Sequence, residues 1–223
     1  LGTIGTKGAW GVALDGALAY VADYDDGLRV INITDPKNPT LLTKLPTPAA
    51  AMGVTVAGGY AYVADVSALL VVRVADWVTP AALGGCPSAH YPLSVFAAGG
   101  IAYIADHDYG FQVINVTNPK APALLGHYNL TGSQAYGQGV WVSGACAYVA
   151  AYGGGLVIIN VTNPRTPTPL GTYSGGWPRA VWSDGRYAYI AGSRAGLRII
   201  TVTNPRNPPL LGSYATPGAA YGI

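Results

Sequence analysis

A four-residue string that keeps returning constrains this chain more than anything else in it. Tyr20-Val21-Ala22-Asp23 comes back as Tyr62-Val63-Ala64-Asp65 and Tyr103-Ile104-Ala105-Asp106. It then returns, altered at the last place, as Tyr148-Val149-Ala150-Ala151 and Tyr189-Ile190-Ala191-Gly192. The steps are 42, 41, 45 and 41 residues, and a period of this size marks a repeat whose units bury their apolar faces on one another. A second apolar run follows four of the copies: Gly27 to Asn32, Gly110 to Asn115, Gly155 to Asn160 and Gly196 to Thr201. Next comes a proline-rich turn such as Thr34-Asp35-Pro36-Lys37-Asn38-Pro39, then a short strand such as Leu125-Gly126-His127-Tyr128 or Leu211-Gly212-Ser213-Tyr214. A small-residue strand such as Gly11-Val12-Ala13-Leu14 or Gly53-Val54-Thr55-Val56 completes the unit. Four short, turn-separated strands rich in β-branched and aromatic residues form a propeller blade. The predicted fold is all-β, a five-bladed β-propeller of four-stranded antiparallel blades. It makes one domain over residues 1–223, with repeats at roughly 9–48, 49–89, 90–134, 135–176 and 177–218.

The run Gly155-Leu156-Val157-Ile158-Ile159-Asn160-Val161-Thr162-Asn163-Pro164, with its Leu-Gly-x-Tyr and Tyr-Val-Ala-Asp companions, resembles the LVIVD-repeat family of β-propellers. The resemblance covers the whole chain, five times over. The second repeat, Leu69-Leu70-Val71-Val72-Arg73-Val74-Ala75-Asp76-Trp77, departs furthest from the pattern. The family usually places Asp where this chain has Asn32, Asn115 and Asn160. Membership implies a fold and an extracellular or cell-surface habit, but no chemistry, because propellers host enzymes, binders and scaffolds alike.

Composition narrows the function. Hydrophobic residues make up 50 % of the 223 and charged residues only 10 %, against about 25 % in an average soluble domain. Disorder is excluded, since it needs the opposite balance. A net charge of +2 leaves no basic stripe for phosphates, so no nucleic-acid partner is expected. The uncharged apolar stretch Ala49 to Ala64 is too short for a bilayer and is broken by Gly58-Gly59, so no membrane span is expected. The chain begins at Leu1 without a signal segment, which fits removal of a leader or a piece of a longer product.

The two ends do not count out to a closed ring. Leu1-Gly2-Thr3-Ile4-Gly5 matches an outer strand, yet the last blade already owns one at Leu210–Tyr214. At the other end Ala219-Ala220-Tyr221-Gly222-Ile223 repeats the start of an inner strand, Ala9-Trp10-Gly11-Val12. One reading makes these ordered extras, or the trace of a longer array. Another makes them assembly strands (Leu1 to Gly5, and Ala220 to Ile223) that pair with a neighbouring subunit. An unpaired strand is a template for addition, and a head-to-tail contact that does not close builds a filament.

Four sites fit the N-glycosylation pattern, at Asn32, Asn115, Asn129 and Asn160. Three of them occupy one repeat position, where an Asn that hydrogen-bonds its own turn is the plainer reading. Glycans there would also keep so uncharged a surface soluble. Cys86 and Cys146 replace apolar residues of the repeat and are expected in the interior. His90 is expected in a loop and His127 on a solvent-facing position, which leaves His107, between Asp106 and Asp108, as the only histidine with a catalytic pattern. Asp23, Asp65 and Asp106 share one repeat position. Convergence on a cation is one reading and side-chain capping of the tip the other, and the last two blades lack the carboxylate. Trp10, Met52, Tyr136, Trp177 and Tyr221 gather just before the inner strands, where they would either pack the repeat or stack on a partner.

The expected function is structural: a subunit of an extracellular or cell-surface filament, joined head to tail by strand addition. Its partners would be further copies of itself and its N-linked glycans. The alternative is a secreted or cell-surface module that binds a glycan or protein on the central face. No catalytic residue, cofactor or metal ligand is expected, and an enzyme built on His107 is the third reading.

Overall fold

The computed structural model describes residues 2–75, 79–87, 91–130 and 136–223. Among the described residues twenty strands form five four-stranded antiparallel sheets, each laid down in chain order. The first sheet holds β1 (Gly11–Asp15), β2 (Leu18–Ala22), β3 (Leu28–Asn32) and β4 (Thr40–Leu45). The second holds β5 (Ala51–Ala57), β6 (Tyr60–Asp65), β7 (Ala68–Arg73) and β8 (Ala81–Pro87). The third holds β9 (Pro92–Ala98), β10 (Ile101–Asp106), β11 (Gly110–Asn115) and β12 (Ala123–Tyr128). The fourth runs β13 (Tyr136–Ser143), β14 (Cys146–Tyr152), β15 (Gly155–Asn160) and β16 (Thr168–Tyr173). The fifth runs β17 (Pro178–Ser183), β18 (Tyr187–Gly192), β19 (Gly196–Thr201) and β20 (Leu210–Tyr214). Among the described residues the only helical turn is a 3₁₀ turn at Ser193–Ala195. These are propeller blades, as the repeat predicts.

Local chemistry accounts for the hairpins. Gly58-Gly59 and Gly99-Gly100 both take positive φ, at 59° and 79° and at 59° and 78°. That is the two-residue turn whose twist matches the flanking strands, and it asks for glycine at both places. The third-to-fourth strand ladder slips by one residue at Val30/Ile31, Val71/Val72, Ile158/Ile159 and Ile199/Ile200. A bulge kept at one repeat position bends each outer strand in the same way.

The chain divides into two compact units, Leu1–Ala102 with Ile114–Ala123, and Tyr103–Val113 with Leu124–Ile223. In the first unit Tyr20, Leu28 and Val30 of the first sheet pack against Val54, Val63 and Val72 of the second. In the other unit Tyr148, Leu156 and Ile158 of the fourth sheet meet Val181, Ile190 and Ile200 of the fifth. Leu28, Leu156 and Ile158 are fully buried, and each such side chain stabilises the fold by about 1.5–3 kcal/mol. The repeated tyrosine packs as expected at Tyr20, Tyr62, Tyr103 and Tyr148, but Tyr189 in the fifth sheet is only half-buried.

Candidate functional site

An aspartate ends the second strand of the first three blades, and in the first two it ties down the segment that leads into its own blade. Asp23 accepts hydrogen bonds from the Lys7 and Gly8 amides at 3.2 and 2.7 Å and pairs with Arg29. Asp65 accepts from the Ala49 amide at 2.9 Å, from the Ser67 amide at 3.1 Å and from the Ser67 hydroxyl at 2.7 Å. Asp106 accepts from Gln112 Nε2 at 3.0 Å and from the Tyr109 amide. All three are fully buried. Tip capping is therefore the arrangement present, and no group of three or more metal-ligating side chains occurs among the described residues. His107 is partly exposed, with Nδ1 2.8 Å from Asp108 Oδ1 and its ring 4.3 Å from that of Tyr136.

Neither terminal segment is a strand, which corrects the strand expectation for Gly2, Thr3, Ile4 and Gly5 and for Ala220, Tyr221, Gly222 and Ile223; Leu1 lies outside the described residues. Each segment nevertheless sits where the repeat places it. The Gly2 amide donates to the Pro36 carbonyl at 2.9 Å, Arg29 Nη1 donates to the Gly5 carbonyl at 2.9 Å, and Ile4 covers Ala19, Val21 and Ile31. A Cβ on Gly2 would run into the Lys37 carbonyl, just as one on Gly84 would stand 2.6 Å from the Lys120 carbonyl. The head thus holds the place of a preceding outer strand, and with no third strand beside it there is no ladder to make it one. The tail is held by the Ala220 amide donating to the Ser193 carbonyl at 2.9 Å. The same bond from Ala51 to Tyr24, at 3.1 Å, opens the second blade.

The first and fifth sheets also expose apolar rows. Val12 is 64 % exposed, whereas Val54 at the same repeat position is 9 % exposed under the cover of the first sheet. Leu14 beside Val12, and Trp182, Leu211 and Tyr214 on the fifth sheet, are exposed as well.

The densest functional cluster lies at the tips of the fourth and fifth sheets. A cleft of about 640 Å³ is lined by Tyr152, Trp177, Ser193, Arg194, Ala195, Ala219 and Tyr221. Trp177 stands edge-on to Tyr152 at 5.0 Å. The Arg179 guanidinium lies 4.6 Å over the Tyr152 ring and 5.7 Å from that of Tyr221, a geometry in which the ring quadrupoles attract the cation. Its Nη1 donates to Gln138 Oε1 at 2.9 Å, while its Nε is buried without a hydrogen-bond partner.

The backbone that presents Trp177 is strained. Gly175, Gly176 and Trp177 take φ of 111°, 86° and 46° in succession, and Trp177 also precedes a proline. A left-handed tryptophan costs about 1–2 kcal/mol. Its cause is legible in the neighbouring blade tip. Gly192 stands where the capping aspartate stands in the first three blades, and a Cβ on it would run into the Gly176 carbonyl. Without the carboxylate, the entry segment closes onto the tip and turns Trp177 outward, leaving it 51 % exposed.

The LVIVD repeat pattern matches residues 7–47, 48–81, 92–130, 135–174 and 175–216. The chain belongs to the LVIVD-repeat family. Among curated proteins, no sequence matches this LVIVD protein. In structure it is similar to a protein from Lactobacillus plantarum, with TM-score 0.81 and 17 % identity over 95 % of this chain and 72 % of that one. It is also similar to a protein from Desulfotomaculum acetoxidans, with TM-score 0.76 and 12 % identity over 99 % and 75 %. A β-propeller domain from Myceliophteria thermophila gives TM-score 0.73 and 12 % identity over 96 % and 74 %. At these identities the likeness is one of fold.

In this LVIVD propeller the asparagines that end the third strands cap their own turns. Asn32 Oδ1 accepts from the Thr34 amide at 2.8 Å, and Asn115 and Asn160 each accept from the amide and hydroxyl two residues on. Capping uses Oδ1 and a glycan would use Nδ2, so the two roles are compatible. Asn129 is exposed just after β12, while Thr131 of its sequon and His90 lie outside the described residues. His127 is exposed, Cys86 is buried, and Cys146 is a half-buried thiol whose pKa burial pushes up. Sequence reasoning singled out Trp177 and Tyr221 but missed Tyr152, Arg179, Ser193 and Arg194. Arg179 occupies the repeat place of Met52, and the arrival of a cation there was the available signal.

Proposed function

We propose that this LVIVD propeller is a structural, self-associating subunit that works outside the cell, its copies joined head to tail. The observation that carries the reading is the contrast between Val12 and Val54. Inside the chain, Val54 is covered by the row Tyr20, Leu28 and Val30. The fifth sheet carries the equivalent row, Tyr189, Leu197 and Ile199, only half-buried, and β1 offers the equivalent of Val54 uncovered. A second copy brings those two surfaces together in a contact already used between blades, and such a heterologous contact propagates. Charge favours the same pairing. Residues 1–123 carry six cations against nine aspartates, a net −3, and residues 124–223 carry six arginines against one aspartate, a net +5. Glycans on Asn32, Asn115, Asn129 and Asn160 would suit a secreted subunit of low charge, and the turn positions of these residues favour attachment.

The test is sedimentation velocity with negative-stain microscopy over a hundredfold concentration range, on the parent and on Val12→Asp with Leu14→Asp. Concentration-dependent fibres or chains of propellers in the parent, lost in the double variant, support the reading. Monomers at every concentration overturn it. The aromatic cleft favours a second reading, recognition of a glycan or protein at the blade tips, which binding assays on the same monomeric variant address separately.

A further inference from the structure

We propose that the cleft between Tyr152, Trp177, Arg194 and Tyr221 binds an acidic saccharide, its sugar face on the aromatic rings and its carboxylate on Arg194; this rests on the second reading above. Trp177 and Tyr221 both expose more than half their surface, though each sits in a fixed place: Trp177 in a left-handed backbone, Tyr221 through the neighbouring Ala220 bond to Ser193. Large rigid aromatics held open to solvent at a concave site are what a flat, amphipathic ligand needs, because they lose little entropy on contact. Ser193 lies in the same wall.

Charge selects the ligand among flat ones. Arg194 is an exposed lining residue, and Arg179 underlies the Tyr152 and Tyr221 rings. No acid is among the described residues that line the cleft, and Asp184 is the only acidic residue in 124–223. A carboxylate on Arg194 would make the charge-assisted contact that a neutral sugar lacks. A nucleic acid fits less well. Tracking a phosphate backbone takes a groove of several cations, whereas Arg194 is the one cation among the described residues that line this cleft, and residues 124–223 contain no lysine.

The cleft also records how it arose. In the first blade the corresponding tip is occupied by a capped aspartate, Asp23, with Lys7 and Gly8 on it. In the fifth, Gly192 removes the cap and the Gly175-Gly176-Trp177 segment takes up the space. The strain in Trp177 does not bury its side chain, which stays 51 % exposed beside Tyr152. Strain kept at an exposed aromatic points to a ligand.

The experiment is isothermal titration calorimetry with tetragalacturonate, with cellotetraose as neutral arm and an oligothymidylate as nucleic-acid arm, at low and physiological salt. The expected result is binding of tetragalacturonate that weakens with salt, with cellotetraose at least about tenfold weaker and the oligothymidylate no tighter than the acidic sugar. Arg194→Met should weaken tetragalacturonate about tenfold or more and leave cellotetraose unchanged. Trp177→Gly should weaken both while the melting temperature holds or rises, because glycine relieves the left-handed backbone; a purely structural tryptophan would lower it. Equal binding of the neutral and acidic sugars overturns the charge assignment but leaves the glycan reading standing. Failure of both sugars, or tighter binding of the oligothymidylate, overturns the saccharide site altogether. Arg194 is exposed, so its variant keeps the test decisive if Trp177→Gly does not fold.

Discussion

Replacing Asp65 by asparagine isolates the charge of a tip cap at constant shape. The carboxylate is fully buried and takes three hydrogen bonds, one from Ala49 on one oxygen and two from Ser67 on the other. An amide keeps one oxygen. Turned to preserve both Ser67 bonds, it sets its NH₂ against the Ala49 amide, so a bond is lost and a buried N–H is left unpaired. A hydrogen bond to a charged group contributes about 1.5–3 kcal/mol, and the two that remain weaken on becoming neutral. The net cost is about 3 kcal/mol. For a chain of this size that lowers the melting temperature by roughly 6–12 °C. Ser67→Ala removes one donor and leaves the carboxylate two amides, so it should cost about 1.5 kcal/mol, the low end for a bond to a charged group. Thermal unfolding followed by near-ultraviolet circular dichroism reads both, with a chelator control in which the parent should not move. An Asp65→Asn melt indistinguishable from the parent, or a smaller effect than Ser67→Ala, would refute the capping argument. A chelator-induced fall would point instead to a bound cation.

Two further predictions concern the ends of the chain. The Asp26 carboxyl is held well below the usual carboxylate range by hydrogen bonds from Lys7 and Arg29, with Lys44 adding a weaker attraction. A depressed carboxylate stabilises the fold above its unfolded value, and that stability erodes as the pH falls below about 4 towards the lowered value. Asp26→Asn should therefore flatten the acid limb of a stability–pH profile; an unchanged limb would count against the Lys7–Asp26–Arg29 network. Gly171 and Gly212 hold the same repeat position, but a Cβ on Gly171 would run into the Pro205 carbonyl while one on Gly212 meets nothing within 4 Å. Gly171→Ala should cost about 1–3 kcal/mol and Gly212→Ala almost nothing in the monomer, as measured by urea unfolding; equal effects would mean the close approach does not decide the glycine.

The fold was legible because a repeat writes the same instruction five times. A misread strand in one copy is corrected by the others, and even the weak second blade, with Ala68 where the others have glycine, forms its four strands. The ends were legible as repeat positions but not as structure. Ile4 sits where an outer strand would end and Ala220 where an inner strand would begin, yet strand geometry is a property of a ladder and neither has one among the described residues. The cleft was hardest to see. Trp177 and Tyr221 were visible in the sequence, but Tyr152 was not, and Arg179 lies 27 residues beyond it. What joins Arg179 to Tyr152 and Tyr221 is the approach of its guanidinium to both rings, contacts made in space rather than between neighbours in sequence.

A single repeat position shows how an array of near-identical blades acquires a local function. At 23, 65 and 106 the residue is aspartate, and its buried carboxylate fixes nearby backbone. At 151 it is alanine and at 192 glycine, so the last two blades forgo those bonds. Each lost cap sacrifices stability of the order worked out for Asp65, which a domain of many buried blade contacts tolerates. The structural consequence depends on the space released. At Gly192 the entry segment moves in, Trp177 is forced left-handed, and Tyr152 gains an aromatic neighbour. Restoring the cap with Gly192→Asp should reverse the chain of causes: the carboxylate cannot coexist with the Gly176 carbonyl, so the segment must lift and Trp177 must leave Tyr152. The expected readout is a changed indole emission together with loss of saccharide binding, in a chain that still unfolds cooperatively. If emission and binding were untouched, Gly192 would not be what shapes the cleft.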